Sequence, residues 1–157
     1  LVNQSRCKSC GPSQGAGARF AAGFTLIEIM FVVVIVAVLL AVALPSYQNS
    51  LQKGRRSDAM SALMDVANRQ EQFMLDRSTY TQNMTELGFA SDPMASADGF
   101  YTVDAGICAA GTIQRCYVLT ATPVNGGLQS KDSRCTTFIL DSTGAKTATG
   151  TDSNACW

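Results

Sequence analysis

Glu28 is the only ionisable residue between positions 24 and 44, in a run that reads FTLIEIMFVVVIVAVLLAVAL. A carboxylate inside such a run costs about 3 kcal/mol on membrane-insertion scales and normally persists only beside a partner. Cleavage of the peptide bond between Gly23 and Phe24 creates one, because the new amino group of Phe24 is positive and sits one helical turn from Glu28. A glutamate snorkelling toward headgroups, or a pair formed within one chain, are the other readings these residue types allow. Small Ala21, Ala22 and Gly23 stand before the apolar run, whereas an ordinary secretory signal carries its small-residue cut site after it. A cut after Gly23 would therefore keep the apolar segment as the new N-terminus, which demands a different peptidase.

Other chemistry finds little support. The chain has no histidine, which removes the commonest general base and metal ligand and any Ser/Cys–His nucleophile. Lys146-Thr147 follows Gly144 without the spacing of a phosphate-binding loop, and Asp132, Asp141 and Asp152 do not fall at calcium-loop intervals. No enzyme, cofactor or metal is expected. Twelve basic and twelve acidic residues cancel, so no overall positive field exists to draw nucleic acid. Removing the first 23 residues leaves nine basic against twelve acidic side chains, a net charge of −3. Of six cysteines, Cys7 and Cys10 form a lone C-x-x-C in the segment ahead of the cut, too few ligands for zinc. Cys108, Cys116, Cys135 and Cys156 remain, an even number suited to an oxidising compartment, and they permit three pairings.

The elements that must carry these residues follow from the pattern. At about 1.5 Å per residue, positions 24–44 span the roughly 30 Å of bilayer hydrocarbon. Arg6, Lys8 and Arg19 precede the run without any acidic residue, favouring a cytoplasmic N-terminus, although Lys53, Arg55 and Arg56 behind it pull the other way. Pro45 should bend the helix without ending it. Ala59, Leu63, Val66, Phe73 and Met74 recur at helical spacing while Arg55, Asp58, Asp65, Arg69, Glu71 and Arg77 are placed off that stripe, so residues 57–76 read as amphipathic. Gly54 is the point of flexibility between the two halves. Residues 77–99 read as a long loop with one turn near 85–87. Strands are expected at 100–105, 116–122 and 135–141, with turns at Asn125-Gly126-Gly127 and Ser142-Thr143-Gly144, and the tail from Thr147 shows little periodicity. The class is α+β, a long N-terminal helix packed on a small antiparallel sheet of three to four strands. Three segments result: residues 1–23 cleaved, 24–52 the hydrophobic helical half, and 53–157 a globular domain.

Gly23-Phe24-Thr25-Leu26-Ile27-Glu28, the unbroken apolar run and Pro45 together resemble the type IV prepilin signature. PSYQNSLQKGRRSDAMSALMDVANRQEQF is similar to PilE-type minor pilins, and YVLTATP, a cysteine-bearing strand and the terminal Cys-Trp continue the likeness over most of residues 23–157. The resemblance implies a ladle-shaped subunit assembled helix-inward into a filament, active in pilus initiation, twitching motility or adhesion. It implies processing and N-methylation at Gly23 and Phe24 by prepilin peptidase, and a register role for Glu28 through the N-terminal amine of a neighbouring subunit. Other major and minor pilins and the inner-membrane assembly platform are the implied partners. The subunit would be held in the inner membrane with its C-terminal domain in the periplasm, then displayed on the pilus. Of the three cysteine pairings, Cys108 with Cys116 and Cys135 with Cys156 are favoured, the latter matching the C-terminal loop closed in pilins. A ComP-type DNA-uptake receptor is the rival reading. It is disfavoured because Arg115, Lys131, Arg134 and Lys146 are matched by Asp104, Asp132, Asp141 and Asp152, although exposed Tyr101, Tyr117 or Trp157 would stack on bases. A type II secretion pseudopilin shares the leader but has less reason for two disulfides.

Mass spectrometry of the mature protein is expected to find an N-terminus at Phe24, bearing a methyl group. Loss of the whole apolar segment would contradict this.

Overall fold

A computed structural model describes residues 23–109 and 111–157, and the leader residues Cys7, Cys10, Ala21 and Ala22 lie outside the described residues. The chain falls into two units divided between Leu40 and Ala41. One helix, α1, runs Leu26–Arg77. Its start is capped by Thr25, whose hydroxyl accepts the backbone N–H of Glu28 at 3.2 Å. It ends where Ser78 enters the left-handed region at φ 56° and donates its N–H back to the Met74 carbonyl at 2.8 Å. Pro45 and Gly54 both lie within the helix, which passes through them unbroken.

In the second unit the helix meets an antiparallel meander of five strands in the order β1 (Met94–Ala95), β2 (Tyr101–Gly106), β3 (Val118–Pro123), β4 (Thr137–Asp141) and β5 (Lys146–Thr149). The sheet is thus one to two strands wider than the sequence pattern predicts. β1 is too short for any periodicity, and β5 reads KTAT, in which only Ala148 is apolar and packs against the core while the other three residues are exposed. The register Val103↔Ala121, Leu119↔Leu140 and Phe138↔Ala148 puts Tyr101, Val103, Leu119, Ala121, Phe138 and Leu140 on one face, against Ala59, Ala62, Leu63 and Val66 of α1. That helical face repeats at three and four residues, as a single apolar stripe must. Threonines dominate the opposite sheet face.

Polar side chains of the same helix also point inward, which corrects the placement of Asp58 on a solvated face. Asp58 is buried and accepts from the Ser96 hydroxyl at 2.5 Å and the Asp98 N–H at 3.2 Å. Arg56 meets Asp132 through two bonds of 2.8 and 3.0 Å, with both side chains buried. The Gln70 amide gives its N–H to the Thr81 carbonyl at 2.5 Å and accepts the Thr81 N–H at 3.1 Å, imitating a backbone pair. Each of these clasps takes a stretch without regular structure and fastens it to α1, satisfying groups that would be costly to bury alone.

Tyr101 lies at the centre of the core, edge-to-face with Phe138 at 5.8 Å, and its hydroxyl finds no partner among the described residues. Burial pushes its pKa up to about 12, and burial, assisted by Glu71, raises that of Tyr117 further still. Both are neutral in the fold but ionise near pH 10 when unfolded, so the stability they confer is whole below about pH 10 and falls as pH rises toward 12. Urea midpoints should be level from neutral pH to about pH 9.5 and decline above it. Tyr101→Phe should reduce that alkaline decline without loss of stability at neutral pH; an unchanged alkaline slope would contradict the assignment.

Candidate functional site

Gly23, Phe24 and Thr25 stand ahead of the first helical turn, and Glu28 lies within it. A carboxylate in that position is favoured by the N-terminal end of the helix dipole, and Thr25-x-x-Glu28 has the spacing of a capping box. Phe24 is 78% exposed, and every described residue from 23 to 50 is exposed. The first half of α1 has a mean hydropathy of 3.2 over its most apolar window, enough by length and composition to cross a membrane. Pro45 deprives the Ala41 carbonyl of its helical donor. An apolar surface of this extent has to be covered by lipid or by other helices.

The four remaining cysteines are joined as Cys108–Cys116, with Cα atoms 6.0 Å apart, and Cys135–Cys156, at 5.7 Å. The first closes the connection between β2 and β3. The second ties the tail to the entrance of β4, where both sulfurs are buried. Around it the Thr136 N–H bonds to the Thr149 carbonyl, the Asp152 N–H to the Arg134 carbonyl, and the Arg134 guanidinium to Asp152 at 2.7 Å. Gly150, at φ 133°, allows the tail to pass so near the Arg134 carbonyl that a Cβ would collide with it. Trp157 then lies edge-to-face on Phe138 at 5.8 Å, donates its indole N–H to the Thr147 carbonyl at 2.7 Å, and carries the Lys146 ammonium over its ring at 5.1 Å. The aperiodic tail is therefore an ordered flap.

The aromatic side chains do not form a stacking platform. Of the three named from the sequence, Tyr101 and Tyr117 are core residues, the latter donating its hydroxyl to Glu71 at 3.2 Å, and Trp157 is partly open. Among the three C-terminal aspartates, Asp132 is committed to Arg56 and Asp152 to Arg134. Asp141 accepts from the Thr143 hydroxyl and from the backbone N–H groups of Ala145 and Thr143, contacts that hold its carboxyl below the usual range.

Comparison with known proteins gives these features a common origin. Residues 45–139 match the family described as "Type IV minor pilin ComP, DNA uptake sequence receptor", and residues 19–44 match the prokaryotic N-terminal methylation motif. The chain is a member of the type IV pilin family, related to ComP. Among similar proteins, the type IV major pilin protein PilE1 of Neisseria gonorrhoeae is 31% identical over 69% of this chain and 61% of its own length. The fimbrial protein EcpC of Eikenella corrodens is 31% identical over 68% of this chain and 65% of its own length. The type IV wide pilus major component PilA4 of Thermus thermophilus is 35% identical over 48% and 60%. This pilin therefore spans about three-fifths of the first of these relatives. Its N-terminal methylation motif and its long apolar helix fit anchoring in a membrane.

Sequence reasoning missed the clasps of Arg56, Asp58 and Gln70. In sequence, charged and amide residues on an amphipathic helix look like its wet face. The available signals are that Asp58 stands four residues before Ala62 and that Gln70 continues the apolar series 59, 63, 66.

Replacing Cys135 and Cys156 together by serine is expected to lower stability by about 3 kcal/mol through release of the closed loop. The urea midpoint should fall, and protease should reach the tail near Gly150. Equal midpoints and equal protease resistance would show that the hydrogen bonds alone hold the flap.

Proposed function

We propose that this pilin is a minor subunit that helps to initiate or enter type IV pili, and that it is processed between Gly23 and Phe24 by prepilin peptidase. The single observation that carries the reading is the apolar half of α1, exposed throughout among the described residues, with one carboxylate, Glu28, in its first turn. In the bilayer lipid covers this surface; in a filament the helices of neighbouring pilins take the place of lipid. Glu28 then pairs with the Phe24 amine of a neighbouring subunit, a contact possible only at one axial offset. The pair neutralises a charge that is expensive in an apolar surround, so misregistered subunits are penalised. The matched family's description as a minor pilin supports the minor role. The peptidase, the assembly platform and other pilins are the partners this role requires.

A second reading, a DNA-uptake receptor, is favoured by one observation, the "DNA uptake sequence receptor" wording of that same family description. The charge distribution opposes it. Arg56 is buried against Asp132, Arg134 is neutralised by Asp152, and Arg69 reaches Asp65 at 3.4 Å. With nine basic against twelve acidic side chains after Gly23, the protein should hold duplex DNA weakly and with strong dependence on salt.

Glu28→Gln isolates the charge, because glutamine keeps the side-chain length and the N3 capping ability of glutamate. Membrane insertion should persist, while the amount recovered in sheared pili should drop about tenfold, the effect of losing about 1.4 kcal/mol. Equal recovery would contradict the register role. Full-length protein in detergent should bind a short duplex and its scrambled counterpart within about tenfold of each other at a stated salt concentration. A larger preference for one duplex would replace the first reading by the second.

A further inference from the structure

Between α1 and the turn Leu128–Lys131 lies a cleft of about 400 Å³, lined by Gln48, Leu51, Gln52, Arg55, Leu128 and Lys131. Neither the processing of the N-terminus nor the register of Glu28 uses it. Its composition is unusual for a crevice on a balanced surface: two cations, two amides and two leucines, with no carboxylate in its wall. We infer that this cleft binds the phosphate headgroup of an anionic membrane lipid while the pilin is anchored in the bilayer, an inference that rests on the membrane-anchored stage of the subunit.

Three independent features converge on that ligand. The first is depth. Leu44 ends the apolar run, and Gln48, Gln52 and Arg55 follow it by about 6, 12 and 16 Å along the helix at 1.5 Å per residue. The polar layer of a bilayer extends about 5–7 Å beyond the hydrocarbon on each side. Helical side chains lean back toward the N-terminus and the long stem of arginine extends that reach, so Gln48 lies within this layer and Arg55 reaches back toward its outer edge. Tyr47, 63% exposed, stands at the boundary, where aromatic residues are concentrated in membrane proteins.

The second feature is charge. Arg55 and Lys131 form no ion pair among the described residues. The carboxylate nearest in sequence, Asp132, does not screen them, because it is buried and saturated. Its oxygens accept from the Arg56 guanidinium, from the Gln129 amide at 2.9 Å, and from the backbone N–H groups of Arg134 and Cys135 at 3.2 and 3.3 Å. Arg55 is steadied from behind by the Phe100 ring, 5.1 Å from its guanidinium carbon. Exposed Lys53, two residues before Arg55, adds a third cation at this level of the helix, outside the cleft. The third feature is the apolar rim: Leu128 is 61% and Leu51 38% exposed. A leucine exposed at a turn beside a lysine is the arrangement of surfaces that dip into the interface while their cations hold phosphates. The phosphodiester would accept from Arg55 and Lys131.

The test uses the full chain in lipid nanodiscs made of phosphatidylcholine alone or with added phosphatidylglycerol. Side-chain amines are labelled with an acylating reagent and located by mass spectrometry. Co-elution with the discs reports membrane anchoring separately from the cleft; failure to co-elute would overturn both. In anionic discs Lys131 and Lys53 should be acylated several-fold more slowly than in neutral discs, consistent with about fivefold attraction per basic side chain. Lys146, outside the cleft, should be labelled equally in both. Arg55→Gln should abolish the protection of Lys131, and Arg55→Lys should largely retain it, with the Cys135–Cys156 bridge intact in both variants as a check of folding. Equal labelling of Lys131 in the two lipid compositions overturns the proposal. So does protection in neutral discs by inorganic phosphate, or protection by short duplex DNA in place of the anionic lipid.

Discussion

Between residues 26 and 44 no side chain of α1 is buried among the described residues, and this exposed apolar surface is the constraint on which the rest of the molecule depends. Some fifteen large apolar side chains in water would be prohibitive, since each is worth about 1.5–3 kcal/mol on burial. The segment therefore exists either in lipid or against other helices. Glu28 is what distinguishes the two environments. In lipid it is a liability; against a neighbour with a free N-terminal amine it becomes a contact that only one offset satisfies. Under the proposed assembly, Glu28 is the one ionisable group between positions 24 and 44 whose energy would differ between the two media.

The globular unit answers a different problem: displaying loops on a helix that cannot be disturbed. Its core is modest, one helical stripe and the inward face of five strands. The irregular stretches are fastened individually to α1 by Asp58, Arg56 and Gln70, and the flap after β5 is closed by Cys135–Cys156. These contacts satisfy buried polar groups and hold each irregular stretch against α1. The bridge Cys108–Cys116 serves the β2–β3 connection in the same manner.

Much of this architecture was legible because the dominant signals are periodic. The apolar run, the helical spacing of Ala59, Leu63 and Val66, and the β-branched segments ending in turn residues locate α1 and β2 to β4 within one or two residues. What escaped was non-periodic for physical reasons. β1 has two residues, and β5 is a polar edge strand whose partnership with β4 is made by backbone groups and by Thr137 and Thr149 hydroxyls rather than by apolar burial. Tyr101 and Tyr117 suggested stacking surfaces because aromatic residues suit both cores and ligands; alternation within the strands decides for the core. Arg56 and Arg55 are neighbours of identical type, yet one is buried against Asp132 and the other faces a cleft, a difference set by a helical step of about 100° that composition cannot express.

The account turns on helices replacing lipid around residues 26–44. A photoreactive amino acid placed at Val36, on the exposed apolar half of α1, reports its neighbours directly when activated in purified, sheared pili. Cross-links should map to the N-terminal apolar helices of other pilin subunits. Cross-links confined to lipid, or absence of the chain from the filaments while it accumulates in the membrane, would contradict the claim that this surface is built for assembly.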